Sequence, residues 1–226
     1  MIVQVPNVLS PDDIRRCRDA LASATWQGGR QTAGSLAARV KDNQQLAHDD
    51  PVARQLSNLI VERLSASERF IAAALPLKVL PPLFNRYTGD GSYGDHIDNS
   101  IFTVPGTPVR IRGDLSATLF LTDPDEYDGG ELSFQSDLGR QTVKLPAGYM
   151  ILYPASTVHR VSPVTRGARM SSFFWIQSLV REHDRRAMLL ELDDTIRELA
   201  IETPEAPAVL KLTGLYHNLL RTWSDT

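Results

Sequence analysis

The sequence predicts a mainly β fold with flanking helices: a jelly-roll core, N-terminal helices before it and a C-terminal helical hairpin after it. Between Pro81 and Ser178 the chain is a series of short apolar or alternating runs bounded by Gly, Pro and Asp, the signature of an antiparallel sandwich or barrel. On either side of that region apolar residues recur at helical spacing. The chain has 226 residues, of which 42% are hydrophobic, enough to bury one proper core with appendages.

The first region, residues 1–77, reads as a helical support. Ser10-Pro11-Asp12-Asp13 is a helix start, with a capping hydroxyl, proline at the first helical position and acidic groups at the positive end of the dipole. Ile14, Cys17 and Leu21 then share one face. A second run puts Val52, Leu56, Leu59, Ile60 and Leu64 on one side, and Ser67–Ala74 adds a short further helix. Gly28-Gly29 and Gly34 mark a looser stretch between them.

Residues 78–178 hold the candidate strands: Leu83–Tyr87, Tyr93–Asp98, Leu115–Thr122, Glu131–Phe134, Gln141–Lys144, Tyr149–Tyr153, Thr157–Ser162 and Ala168–Ser178. Asp128-Gly129-Gly130 and Pro146-Ala147-Gly148 are tight-turn signals. A jelly-roll closure shields the edges of a sheet region this size. In residues 179–226 helical spacing returns, with Leu189, Leu192, Ile196 and Leu199 on one stripe and Val209, Leu212, Tyr216, Leu219 and Trp223 on another. Thr203-Pro204-Glu205-Ala206-Pro207 separates them, which reads as a hairpin. Those stripes pack on the strand region or, as a homo-oligomer, on another copy.

Charge and composition exclude several function classes. A net charge of −3 gives no electrostatic footprint for nucleic acid or an anionic membrane. One cysteine, Cys17, forms neither an internal disulfide nor a thiolate zinc centre. No run approaches the roughly 18 uninterrupted apolar residues of a membrane span. The start Met-Ile-Val-Gln-Val-Pro lacks the basic and apolar segments of a signal peptide, so a cytoplasmic location is expected.

The chemistry centres on few residues. His96 and Asp98 stand two apart, and on a strand both side chains leave one face. His159 lies 63 residues downstream, where a rolled sheet brings it beside them. Two imidazoles and a carboxylate form a facial ligand set for non-haem iron(II), with open positions for substrate and oxygen; zinc uses the same ligands. Arg169 follows ten residues after His159. Its guanidinium can grip a carboxylate through two parallel hydrogen bonds, which suits a dicarboxylate chelating the metal at one end and anchored at the other.

His96-x-Asp98, His159 and Arg169 match the iron- and 2-oxoglutarate-binding signature of the prolyl 4-hydroxylase-like dioxygenases. The surrounding text, Phe84-Asn85-Arg86-Tyr87-x-x-Asp90-Gly91-Ser92-Tyr93-Gly94-Asp95-His96-Ile97-Asp98, resembles the bacterial PKHD-type hydroxylases. So do Leu115-Ser116-Ala117-Thr118-Leu119-Phe120-Leu121 and Gly129-Gly130-Glu131-Leu132-Ser133-Phe134. The resemblance covers residues 78–178 for the site and extends into the C-terminal helices. It implies a double-stranded β-helix that binds Fe(II) through His96, Asp98 and His159 and 2-oxoglutarate through Arg169 and Tyr87. O2 is the second co-substrate, and ascorbate keeps the iron reduced. The implied reaction hydroxylates a C–H bond and releases succinate and CO2. A peptidyl residue or a small metabolite is the implied substrate, the latter because relatives are associated with iron uptake. Arg169 stands where collagen-type enzymes use lysine; either cation holds a carboxylate.

Weaker candidates surround these. Residues 99–113, with Pro105, Gly106, Pro108 and Gly113, read equally as a lid or a plain connector. Trp175, in even register with Arg169, lines a pocket or packs in the core. Glu131 reads as structural, while His48, His183 and His217 read as non-ligands. Two alternatives of other classes remain at this level: a non-catalytic metal/2-oxoglutarate sensor, and a zinc hydrolase.

Overall fold

The structure is a computed structural model that describes all residues except 33, 35, 105, 137, 138 and 226, and all side chains but those and 31 and 32. In chain order the first part runs β1 (Val3–Val5), α1 (Pro11–Ala22), β2 (Trp26–Gly28), β3 (Lys41–Asp42), β4 (Gln44–Leu46), α2 (Pro51–Ser65) and α3 (Glu68–Ala74). Next come β5 (Pro76–Val79), β6 (Leu83–Tyr87), β7 (Ser92–His96), β8 (Ile101–Thr103), β9 (Arg110–Arg112) and β10 (Leu115–Phe120). Then follow β11 (Asp128–Gly129), β12 (Leu132–Ser136), β13 (Gly139–Val143), β14 (Met150–Pro154), β15 (His159–Val161), β16 (Val164–Arg166) and β17 (Arg169–Ser178). Helices α4 (His183–Glu202) and α5 (Pro207–Trp223) close the chain.

Two antiparallel sheets make the jelly roll. The larger has the order β1-β14-β10-β17-β6-β4-β2, with β5 pairing the far end of β17; the smaller is β13-β12-β15-β7-β3. Both faces of the larger sheet are covered, so β14 reads as a continuous apolar run and β10 is buried at its small polar positions as well as its apolar ones. Leu115, Ala117 and Leu119 of β10, with Met150 and Leu152 of β14, turn outward onto Cys17, Leu21, Leu56, Ile60 and Phe70 of the helices. The opposite parity faces the second sheet, where Phe120, Ile151 and Tyr153 meet Tyr87, Leu132, Phe134 and Val161. All of Leu115–Phe120 is buried in consequence.

The helices start where local chemistry dictates. Ser10 accepts the Asp13 amide while the Asp13 carboxylate accepts the Ser10 amide, a reciprocal capping box. Asp50 caps Val52 and Ala53 ahead of α2, and Ser67 caps Phe70 in α3. Leu75, at φ 43°, ends α3 in the left-handed conformation. The C-terminal hairpin forms as its stripes predict and docks on this chain: Tyr216, Leu219, Leu220 and Trp223 pack against Leu75, Val180 and Leu189.

The structure corrects three expectations. Residues 1–77 are not only helical, since β1 to β4 join the two sheets. Strands of two or three residues carry too few side chains to show a period. Asp98 lies two residues past the end of β7, not on it. Residues 99–113 are not a plain connector: β8 and β9 pair there as a hairpin, with Ile101 opposite Arg112, and Phe102 stacks on Trp175 at a ring-centroid distance of 4.1 Å. Pro105 lies outside the described residues.

Candidate functional site

A cleft of about 710 Å³, counted to its open mouth, enters between the two sheets and holds every sequence-predicted site residue: Tyr87, His96, Asp98, His159 and Arg169. Sheet register assembles it. His159 is directly paired with His96 across β15 and β7, and Arg169 is paired with Tyr87 across β17 and β6.

The candidate ligand atoms of His96, Asp98 and His159 all lie within 4.8 Å of one another. Nε2 of His159 is 3.7 Å from Oδ2 of Asp98, and the two imidazole centroids are 4.1 Å apart. Each imidazole is held by its other nitrogen. His96 Nδ1 lies 2.8 Å from the Gly94 carbonyl and His159 Nδ1 2.9 Å from the Thr157 carbonyl. A carbonyl only accepts, so Nδ1 carries the proton in both rings and each Nε2 is left with a bare lone pair. That is the tautomer a metal ion would require of these rings, and it is fixed by backbone carbonyls. Burial, and then the neighbouring His159, hold the His96 pKa well below the usual imidazole value, which keeps a coordinating lone pair available. Ser116 Oγ donates to Asp98 Oδ2 at 2.6 Å and fixes the carboxylate. Tyr93 stacks on His96 at 3.5 Å, and Tyr153 packs edge-on against His159 at 4.9 Å.

Arg169 sits deeper, only 1% exposed. Its guanidinium donates to Ser171 Oγ at 2.8 Å, and that hydroxyl donates onward to Asn85 Oδ1 at 2.6 Å. The cation lies 5.4 Å from the Tyr87 ring centroid and 5.1 Å from that of Phe120. Among the described residues its Nε has no hydrogen-bond partner, nor does the side-chain amide nitrogen of Asn43 in the same cleft. Buried donors are rarely left so. A carboxylate in this end of the cleft would satisfy them. The Gly129-Gly130 turn makes room for the arginine: Gly130 has φ +67°, and a Cβ there would stand 3.0 Å from Arg169 Cδ and 2.9 Å from Val164 Cγ2. Tyr87 is fully buried, and desolvation raises its hydroxyl pKa, so it stays a neutral hydrogen-bonding group.

The weaker candidates sort cleanly. Trp175 lines the cleft, whereas Glu131 is tied to Ser162 by hydrogen bonds to its amide and carboxylate. His183 meets the N-terminal amine at 2.6 Å, and His48 is exposed. Sequence reasoning missed Lys41, Asn43 and Gln45, which line the cleft from the β3–β4 segment. Their signal is alternate polar residues, which resembles a solvated face until the sheets show which side is buried.

A model of the 2OG-Fe(II) oxygenase superfamily matches residues 82–177, and one of the PKHD-type hydroxylase C-terminal domain matches residues 184–225. A PKHD-type hydroxylase of Nitrobacter winogradskyi is 65% identical over 226 residues, covering all of both chains. The chain belongs to the PKHD-type hydroxylase family. A second member, from Parvibaculum lavamentivorans, is 58% identical over the same full length. The fold of this family member is also that of more distant oxygenases. A Pseudomonas putida prolyl-4-hydroxylase superposes with a TM-score of 0.53 at 21% identity, over 78% of this chain and 92% of that one. HygX from Streptomyces hygroscopicus, solved with nickel, 2-oxoglutarate and hygromycin B bound, gives 0.54 at 13% identity, over 78% and 82%. This PKHD-type chain is therefore an Fe(II)/2-oxoglutarate-family oxygenase of the hydroxylase type, with a jelly-roll core and family-specific C-terminal helices.

Proposed function

We propose that His96, Asp98 and His159 hold Fe(II), that Arg169 and Tyr87 hold 2-oxoglutarate, and that the enzyme hydroxylates a C–H bond of a small metabolite or a peptidyl residue. The observation that carries this reading is the gathering of one ligand atom each from His96, Asp98 and His159 within 4.8 Å, with a buried guanidinium in the same cleft. An all-protein N/O set with no thiolate, offering three donors, suits iron that must keep positions open.

Bound iron with 2-oxoglutarate and O2 supplies the oxidising chemistry, releasing succinate and CO2; the chain supplies orientation, charge and exclusion of water. Asp98, held by Ser116, presents its carboxylate in one fixed direction. The carbonyls of Gly94 and Thr157 keep the two imidazoles from rotating or flipping tautomer. Arg169 anchors the far carboxylate of the co-substrate, and the Ser171–Asn85 relay stops the guanidinium from swinging. Tyr87 donates its hydroxyl to the same molecule. Phe102 and Trp175 form an apolar wall that keeps the reacting centre dry.

Ascorbate serves as the reductant that returns the iron to its ferrous form, and the protein works in the cytoplasm. The three-region division fits this reading, with residues 78–178 as the dioxygenase domain, 1–77 as its support and 179–226 as a helical segment buttressing Leu75 and Val180. The test is succinate release with purified protein, Fe(II) and 2-oxoglutarate. His96→Ala and Asp98→Ala together abolish it under this reading; turnover surviving both substitutions contradicts it.

A further inference from the structure

The segment that carries β3 and β4 crosses from the smaller sheet to the larger one. Lys41 pairs with Tyr93 in the first, and Gln45 pairs with Asn85 in the second. Its inward positions are Lys41, Asn43 and Gln45, all less than 10% exposed at 3%, 7% and 4%, and all three line the cleft. Inward positions of a jelly roll are ordinarily apolar, because a buried ammonium is costly to desolvate. A polar row at three successive inward positions of one segment breaks that rule where the segment lines the cleft. Such breaks mark functional sites.

Lys41 Nζ lies 5.0 Å from the Tyr93 ring centroid and 5.8 Å from that of Phe173, and Tyr93 in turn stacks on His96. The ammonium is thus on the side of the cleft walled by Phe102, Phe173 and Trp175, next to the metal ligands. Among the described lining residues the charged ones are Lys41, Arg169 and Asp98. With ferrous iron and doubly charged 2-oxoglutarate in place, this set retains one excess positive charge. Aromatic walls and a net positive charge complement a substrate with a flat apolar body and an anionic group.

We propose that Lys41 is a specificity-determining residue of the primary-substrate subsite, selecting a molecule that carries a carboxylate or phosphate on an apolar, ring-sized body. This deepens the proposed function and rests on it. The test titrates benzoate, its neutral isostere benzamide, and phenyl phosphate into anaerobic protein by calorimetry. Wild type, Lys41→Met and Lys41→Arg are compared, each metal-free and each loaded with Fe(II) and 2-oxoglutarate.

The expected result is that loaded wild type binds benzoate or phenyl phosphate at least about tenfold more tightly than benzamide, as a charge-assisted hydrogen bond implies. Lys41→Met removes that preference and Lys41→Arg keeps part of it. Tighter benzoate assigns a carboxylate, tighter phenyl phosphate a phosphoryl group. Equal binding of the three probes, no measurable binding of any, or a preference that survives in Lys41→Met overturns the proposal. The wild-type comparison decides even if Lys41→Met fails to fold. Failure of the iron/2-oxoglutarate reading shows separately, as absence of a visible charge-transfer band before any probe is added, and the metal-free titrations still read out Lys41.

Discussion

Arg169 shows how much of the site is decided by single side chains. It is buried, its guanidinium rests on Ser171, and the space for its stem exists because residue 130 lacks a Cβ. Under the proposed role of Arg169, Arg169→Met would leave the co-substrate's carboxylate facing a dry wall, and we expect the KM for 2-oxoglutarate to rise by at least about 30-fold, as loss of a buried charged partner costs roughly 2–5 kcal/mol. Gly130→Ala tests the same point without touching the cation. Its methyl group meets Tyr127, Val164 and Arg169 and demands a left-handed backbone. The expected outcome is a lower thermal midpoint together with weaker 2-oxoglutarate binding, measured by calorimetry. A variant with wild-type affinity would show that the Gly-Gly turn does not position Arg169. That His96, Asp98, His159 and Arg169 meet in one cleft was legible in the sequence from the order and spacing of His-x-Asp, His and Arg. Ser116, Asn85 and Ser171 were not, because a serine inside a strand announces nothing until its hydroxyl is seen on a carboxylate or a guanidinium.

Elements show a different pattern of legibility. Leu83–Tyr87 and Tyr149–Tyr153 were readable to within a residue or two because large apolar residues bound or fill them and most of their positions are buried. The segment from β2 to β4 was unreadable for the opposite reason: its inward residues are polar, and its strands are two or three residues long. The β8–β9 hairpin hid behind Pro and Gly, yet it places Phe102 on Trp175. Phe102→Ala opens that wall, and we expect the Trp175 contribution to the emission spectrum to shift to longer wavelength as water enters, with a stability loss in the range of an aromatic pair and its cavity, about 1–4 kcal/mol. Unchanged emission would contradict the packing. Between helices, Arg63 of α2 grips the Asp13 carboxylate of α1 with bonds of 2.9 and 3.1 Å. That pairing lowers the Asp13 pKa to about 2. A depressed carboxylate pKa means the stabilisation is present above the unfolded value near 3.8 and is lost as pH falls toward about 2. Urea titrations should therefore show a gap between wild type and Asp13→Asn that is full at neutral pH and closes between about pH 4 and pH 2. A gap constant across that window would contradict the assignment.

At the scale of the whole molecule, the C-terminal hairpin is a brace for the sheet that carries Arg169. Ser178, the last residue of β17, donates through Oγ to the Ala74 carbonyl, and Val180 bridges to Ser224 at the far end of α5. Arg186, 2% exposed, donates to the carbonyls of Val180 and Arg181. Ending the chain after Thr203 strips Tyr216, Leu219, Leu220 and Trp223 from Leu75 and Leu189. The expected loss is at least about 3 kcal/mol on the scale of burying several large apolar side chains, read from urea unfolding, and retention of full stability would mean the hairpin is an appendage. Jelly roll, flanking helices and hairpin were all visible in the period of the sequence. How the N-terminal strands complete both sheets was not, since non-local pairing leaves no local trace in two- or three-residue segments.

The most direct measurement adds Fe(II) and then 2-oxoglutarate to the protein without oxygen and records the visible spectrum. We expect a weak charge-transfer band that is absent in Asp98→Ala and requires more 2-oxoglutarate to saturate in Arg169→Met. A wild-type protein that shows no band, or an Asp98→Ala protein that shows the full one, would contradict the assignment of iron and co-substrate to these side chains.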